Sequence, residues 1–130
     1  MAQHQPLRRQ GWAGQTPQQI LDRYRPGQAP PLEVLEVLLE LFNTLHTSLE
    51  KTVSHKTRHE RAQFLRRFFR DLNGKAGFKK LPDPRNLGQK HLRAMVQVWQ
   101  REHLAPATIQ TYLSFLRGLG MWLGKHGFVR

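Results

Sequence analysis

Two groups of polar side chains recur at helical spacing in this 130-residue chain, and both could bind a polyanion. In the first group, cations and one amide return every three or four residues, which places them on one side of a helix. Such a face suits nucleic acid, because its cations can pair with backbone phosphates. Its members are Lys56, His59, Gln63, Arg67 and Arg70.

The second group lies near the C-terminus and carries amide and hydroxyl groups with little charge. Glutamine can bond to adenine with both its donor and its acceptor, and threonine can contact the methyl group of thymine, so this group suits base edges. Hydroxyl side chains at two predicted helix starts can help backbone N–H groups to hold a phosphate. The predicted DNA-binding residues are Ser54, Lys56, Thr57, His59, Gln63, Arg67, Thr108, Gln110, Thr111 and Ser114.

Other kinds of site find little support in the residues. The chain has no cysteine, no G-x-G-x-x-G phosphate loop and no H-E-x-x-H zinc motif. His55 and His59 have metal-capable i, i+4 spacing, but a site needs a third ligand and Glu60 falls on a different side of the helix. The neighbouring Lys56, Arg58 and Arg61 would also repel a cation. We therefore predict no metal, no cofactor and no catalytic residues in this chain.

The net charge of +12 is unevenly distributed along the chain. Residues 32–50 contain four glutamates and no lysine or arginine, whereas residues 51–130 contain 17 basic and four acidic residues. A basic domain of this kind commonly binds a polyanion, and double-stranded DNA is the partner we predict. The alternative is that the basic helix faces are only solvated.

Hydrophobic periodicity predicts an all-α fold, a four-helix bundle preceded by a flexible basic tail and linker over residues 1–31. In the second helix, Leu65, Phe68, Phe69 and Leu72 form the buried stripe, and Gly74 is placed to end it. A short helix is also expected over residues 17–24 in the tail. The four main helices, within a domain of residues 32–128, are predicted over 32–46, 54–72, 89–103 and 106–124.

The first of these helices is apolar on more than one side. Its hydrophobic residues indicate either deep burial or contact with a second protein, such as a neighbouring protomer through residues 32–46. In the last helix, Gly118 and Lys125 are predicted to lie on the polar side. Phe64 and Trp122 lie off the main stripes and are expected to pack against the first helix or the linker.

Three stretches of the chain resemble the N-terminal core-binding domain of tyrosine recombinases, the phage integrase type. VSHKTRHERAQFLRRFFRDL at 53–72 is similar to the opening helix of that domain. GFKKLPDPRNLGQKHLRAMVQVWQREHL at 77–104 is similar to the segment that follows. LAPATIQTYLSFLRGLGMWLGKHGFV at 104–129 is similar to its last SAM-like helix. With the preceding apolar helix included, the resemblance covers residues 32–128.

The resemblance implies a SAM-like helical bundle that clamps one side of duplex DNA, with a separate catalytic domain on the other side. The helices beginning at Ser54 and Pro106 would then approach the major groove. The catalytic set of that family is missing here, and the H-x-x-R spelled by His55 and Arg58 only coincides with a helix start. By this resemblance the chain is a DNA-binding fragment of an integrase, cytoplasmic and nucleoid-associated, and is not itself an enzyme.

Two alternatives remain open at the level of sequence. The domain could be a helical protein-interaction or regulatory module with incidental charge, which the acidic, apolar helix at 32–46 favours. It could also be a helix-turn-helix regulator built from 89–103 and 106–124, which a dimeric, palindromic footprint would reveal. No apolar run approaches the ~20 residues of a membrane-spanning helix, so no membrane partner is expected.

Overall fold

A computed structural model of the chain describes residues 30–43, 55–125 and 129. These residues form four α-helices and one short 3₁₀ turn, and no strand occurs among them, so the all-α prediction is confirmed for this part. The elements are α1 (Pro31–Phe42), α2 (His55–Gly74), the 3₁₀ turn Pro84–Asn86, α3 (Gln89–Arg101) and α4 (Pro106–Trp122). The predicted helix at 17–24, the tail and the proposed Ser54 cap lie outside the described residues.

Helix α2 is the element against which the other three helices pack. Its predicted stripe is confirmed, because Leu65, Phe68, Phe69 and Leu72 are all buried. The Phe64 ring packs against α3 and α4 rather than against α1, with its centroid 6.1 Å from that of Trp99 and 5.5 Å from that of Phe115. The outer side of α2 is therefore the side left for solvent or for a ligand.

Most of the described apolar side chains of α1 belong to the core of this domain. Val34, Leu35, Leu38 and their neighbours Val37 and Leu39 are buried. The exposed side of α1 consists instead of Leu32 and two glutamates, Glu36 and Glu40. Burial within the domain explains why this helix is hydrophobic, so its hydrophobicity no longer argues for a partner. A contact with a neighbouring protomer stays a prediction.

Two positions differ from the sequence-based expectation at the ends of helices. Gly74 does not terminate α2 in a left-handed conformation; it is the last helical residue, and the reversal falls on Gly77 at φ +83°. Lys125 is not on the polar face of α4, because its Nζ donates to the carbonyl of Leu87 at 2.7 Å. After α2 the chain therefore reverses three residues later than the sequence suggested. The Phe78 N–H bonds back to the Leu72 carbonyl and closes the turn around Gly77.

Helices α3 and α4 end in the same hydrogen-bonded turn but with different residues in its left-handed position. After α3, His103 has φ +60° and Leu104 N–H bonds to Trp99 O at 3.1 Å. After α4, Gly124 has φ +71° and Lys125 N–H bonds to Gly120 O at 2.7 Å. A side chain with a Cβ is strained in this conformation and glycine is not.

Exchanging glycine at these two sites should change stability in opposite directions. We expect His103→Gly to raise the free energy of unfolding by about 0.5–1 kcal/mol and Gly124→Ala to lower it by about 1 kcal/mol. Urea denaturation of both variants at pH 7.5 measures the two changes. Destabilisation by His103→Gly would mean that the imidazole makes a contact worth more than the backbone strain.

His91 closes the first turn of α3. It is buried, and its Nδ1 accepts the backbone N–H of Gly88, the N-cap residue of this helix, at 2.9 Å. Burial lowers the pKa of His91 from its ordinary 6.5, and the nearby charges of Lys90 and Lys125 lower the pKa further. The folded domain therefore holds this imidazole in its neutral form.

Acid should destabilise the domain through His91. Since the folded pKa lies below the unfolded value, the unfolded chain takes up the proton first as pH falls through 6.5. The free energy of unfolding should then fall, by at most about 1.4 kcal/mol per pH unit for one group. Urea denaturation between pH 7.5 and 5 measures the slope. His91→Gln keeps an acceptor for Gly88 without titrating, so an equally steep slope in this variant would exclude His91 as its source.

Candidate nucleic-acid interface

The outer face of α2 is a continuous row of exposed polar side chains. Lys56, His59, Gln63, Arg67 and Arg70 are all exposed, which confirms their predicted position opposite the buried stripe. From Lys56 to Arg70 the row extends about 21 Å, at ~1.5 Å per residue. This row is called the α2 face below. Its length corresponds to about six base pairs of duplex at ~3.4 Å each.

Several basic side chains outside the α2 face are already neutralised by carboxylates. Arg66 binds both oxygens of Glu36, at 2.6 and 2.8 Å, and the hydrogen bond to this carboxylate raises the pKa of Arg66. Lys75 Nζ lies 2.7 Å from a Glu102 oxygen, which likewise raises the pKa of Lys75. Arg85 pairs with the buried Asp83. These cations stabilise the fold and contribute little net charge for a polyanion.

Arg61 lies on α2 but is turned into the protein. It is 6% exposed, its Nε donates to the side chain of Asn43, and its Nη2 donates to the Asn43 carbonyl at 3.0 Å. Its guanidinium carbon lies 5.0 Å from the centroid of the Trp122 ring, which itself stacks on Phe42. Burial lowers the pKa of Arg61. Arg61 joins the end of α1 to α2 and α4, so it is unavailable to a ligand.

Arg67 is held differently from these cations, because its contacts are with an uncharged group. Its guanidinium carbon lies 5.8 Å from the centroid of the Tyr112 ring, and its Nη2 donates to the Tyr112 hydroxyl at 3.4 Å. No carboxylate lies within ion-pair distance of Arg67 among the described residues. Its positive charge is therefore not cancelled by an ion pair within that part of the chain.

The predicted residues of α4 fall on more than one side of that helix. Gln110, Thr111 and Ser114 are exposed, whereas Thr108 is half-buried. The hydroxyl of Thr111 donates to the carbonyl of Ala107 at 3.1 Å. Gly118, which was expected on the polar side, is buried, because α4 contacts α2 along more of its circumference than the main stripe indicated.

Only part of α4 continues the α2 face. Tyr112, Phe115 and Trp122 turn toward α2, through contacts with Arg67, Phe64 and Arg61 respectively. At ~100° per residue, Thr111 and Ser114 lie at the exposed edge nearer to α2, and Gln110 lies toward the far side. The joint surface is thus the α2 face bordered by Thr111 and Ser114.

The contacts also show that α2 and α4 run in opposite directions. Arg61 is close to Trp122, whereas Arg67 is close to Tyr112. The first turn of α4, with Thr108, therefore lies beside the second half of α2, while Lys56, Thr57 and His59 lie at the other end of the pair. Thr57 is half-buried, and Ser54 lies outside the described residues.

Sequence reasoning missed two exposed residues on α4. Arg117 and Met121 are exposed and follow Gln110 and Ser114 at seven-residue spacing on the same side of the helix. That spacing was the signal that could have identified them. Further exposed cations lie in the loop after α2 and on α3. They are Lys79, Lys80, Lys90, Arg93 and Arg101.

The described residues contain neither a metal-binding cluster nor a membrane-spanning helix. Among the described residues, no three His, Asp or Glu side chains come close enough together to hold a metal ion. Of the helices within 30–43 and 55–125, none is both long and apolar enough to cross a membrane. The polar surface around α2 and α4 is thus the candidate site of this domain.

The described residues form a small all-α domain built around one central helix, with a basic polar row along the outer side of that helix. The family model described as phage integrase, N-terminal, matches residues 42–129. Because the match spans most of the chain, this protein belongs to the SAM-like phage integrase N-terminal family. Comparison with curated proteins and comparison with solved structures each gave no match.

Membership of this family bears out the resemblance and the SAM-like fold that the sequence predicts. The match begins at Phe42, the last residue of α1, so it takes in α2, α3 and α4 with the segments between them. The elements that carry the α2 face and its border thus lie inside the matched region. Only the N-terminal domain of an integrase is matched.

Proposed function

We propose that this chain is the DNA-binding domain of a phage-type integrase and that it binds one side of duplex DNA through the α2 face and its border on α4. The observation that carries the proposal is the distribution of ion pairs around α2. Arg66, Lys75 and Arg85 are paired with carboxylates, whereas Arg67 and Arg70 on the α2 face have no such partner among the described residues.

The division of roles within this surface follows from chemistry. Lys56, Arg67 and Arg70 are suited to phosphates, and the Ser114 hydroxyl is suited to either phosphates or base edges. The Thr111 hydroxyl, which donates to the Ala107 carbonyl, is suited to accept from a base edge. Gln63 at the centre of the α2 face can read a base edge through its amide. Gln110 would reach a base only if the far edge of α4 also entered the groove. The DNA-strand-cutting groups of an integrase would come from outside this chain.

The direct test is an NMR titration of the domain with a duplex of about 20 base pairs, long enough for the ~21 Å α2 face. The backbone amides between 56 and 70 and between 107 and 117 should shift on binding, and Kd should rise steeply with salt. An equal titration with heparin shows how much of the response is charge alone.

Two outcomes would contradict the proposal. The first is an absence of binding at low salt, or amide shifts confined to α1 and α3. The second is a tight dimer that forms without any affinity for duplex, which would favour the protein-interaction alternative. A helix-turn-helix role gains little support, because α3 and α4 each make their main contacts with α2 rather than with one another.

A further inference from the structure

The Tyr112 ring is held firmly at the edge of the α2 face. Phe64 stacks on it with centroids 4.6 Å apart, and Trp99 meets it edge-on at 5.1 Å. Phe64 and Trp99 are both buried, while Tyr112 itself is half-buried. The ring is therefore fixed by the core, and its hydroxyl is placed at the surface.

This fixed ring determines where the Arg67 guanidinium sits. Arg67 reaches from α2 to the Tyr112 ring at 5.8 Å, and its Nη2 donates to the Tyr112 oxygen at 3.4 Å. Arginine next to an aromatic ring keeps in-plane N–H donors for a further acceptor. Because the Tyr112 oxygen accepts from Arg67, its own proton is free to be donated elsewhere. Two kinds of donor thus lie side by side.

We propose that Arg67 and Tyr112 form one preorganised phosphate-binding unit, in which Tyr112 is a positioning residue that holds the Arg67 guanidinium and adds a hydroxyl donor of its own. The proposal rests on the proposed function, since it names the acceptor as a backbone phosphate of DNA. Paired N–H donors of arginine match phosphate oxygens well. Holding the guanidinium in place before binding reduces the entropy lost when the phosphate arrives.

The neighbouring arginine shows why this unit differs from an ordinary surface cation. Arg66 is also held, but both of its donor contacts go to the carboxylate of Glu36, so its charge is already neutralised. Arg67 is held by a phenol and forms no ion pair with a described carboxylate, so its charge stays available to an anion. Sequence reasoning could not find the contact between Tyr112 and Arg67, because 45 residues separate them along the chain.

A double-mutant cycle on duplex binding tests the coupling. Tyr112→Phe keeps the ring and removes the hydroxyl, and Arg67→Lys keeps the charge and removes the planar donors. We expect each single change to weaken Kd about two- to tenfold, with the double variant little weaker than the worse single variant. The salt slope should stay unchanged in both, since no charge is lost. If the fold-increase in Kd of the double variant equals the product of the two single fold-increases, the proposal is wrong.

A second measurement separates this proposal from the DNA-binding proposal. In the free protein, the Arg67 Nε–Hε group should become more mobile in Tyr112→Phe, and its response to titrated inorganic phosphate should weaken. Unchanged Arg67 relaxation in Tyr112→Phe would overturn the unit even where duplex binding is intact. If Arg67 responds to phosphate in a Tyr112-dependent way but the wild-type domain ignores duplex, the unit stands and the DNA-binding function fails.

Discussion

Replacing Lys56 and Arg67 together with alanine should reduce the slope of log Kobs against log salt concentration by about two and weaken duplex binding by at least about tenfold. Each cation that pairs with a phosphate releases counterions, so each lost pair removes about one unit from the slope. Fluorescence anisotropy with a labelled duplex at several salt concentrations measures both quantities.

These two residues are chosen because they lie toward opposite ends of the α2 face and both are exposed. The matched control is Arg93→Ala with Arg101→Ala, which removes the same charge from exposed positions on α3. The control should lower the affinity for duplex only slightly, because it reduces the net positive charge of the domain without removing a phosphate contact. An equal fall in slope for both pairs would mean that binding depends on net charge and that the α2 face has no special role.

Replacing the acidic residue Glu60, on the same side of α2, should strengthen duplex binding and not weaken it. Glu60 is exposed and lies one turn before Gln63 and Phe64. Glu60→Gln removes a negative charge without altering size, so duplex binding should tighten modestly at low salt. A weaker complex would instead indicate that Glu60 accepts a hydrogen bond from a base.

Replacing Arg61 with alanine should lower the free energy of unfolding by about 2–4 kcal/mol. The substitution leaves the Asn43 carbonyl and side chain without their buried donor and opens a space against the Trp122 ring. The substitution removes contacts of α2 with two other helices, because Asn43 follows the last residue of α1 and Trp122 is the last residue of α4. Urea denaturation at pH 7.5 gives the change in stability.

The matched control for Arg61 is its neighbour Arg66 on the same helix. Arg66→Ala removes an ion pair whose two side chains are 39% and 51% exposed, so its cost should stay below about 1 kcal/mol. Arg61→Lys should rescue little, since one ammonium group cannot replace the two guanidinium donors and the contact with Trp122. Similar losses in Arg61→Ala and Arg66→Ala would contradict the structural role of the buried arginine.

The positions of the helices and of the α2 face could be predicted from sequence because both depend on local geometry. Residues three and four apart share a side of any helix, so the buried row Leu65–Leu72 places Gln63 and Arg70 opposite without knowledge of the fold. The prediction that Gly118 lies on the polar side of α4 was wrong because it also used local geometry alone. Periodicity describes one stripe, whereas the surface that α4 buries against α2 is wider than that stripe and includes Gly118.

The hydrophobic excess of α1 illustrates the limit of such reasoning. Its apolar residues fit equally well a core helix or a contact with a second protein, and composition alone does not separate the two. The structure shows Val34, Leu35 and Leu38 with no exposed surface. These residues of α1 are buried because α1 packs against α2 together with α3 and α4. That arrangement depends on the tertiary structure and not on the composition of α1.

By itself the sequence determined the all-α class, the apolar stripes and the basic row on α2, because each of these follows from backbone periodicity within a single helix. Only the tertiary structure decided which cations are neutralised: Arg66 meets Glu36 across 30 residues, while Arg67 meets an uncharged Tyr112 across 45. The physical reason is that such pairs form between helices. Their partners are set by the packing of the whole chain, and adjacent arginines on one helix can therefore have opposite roles.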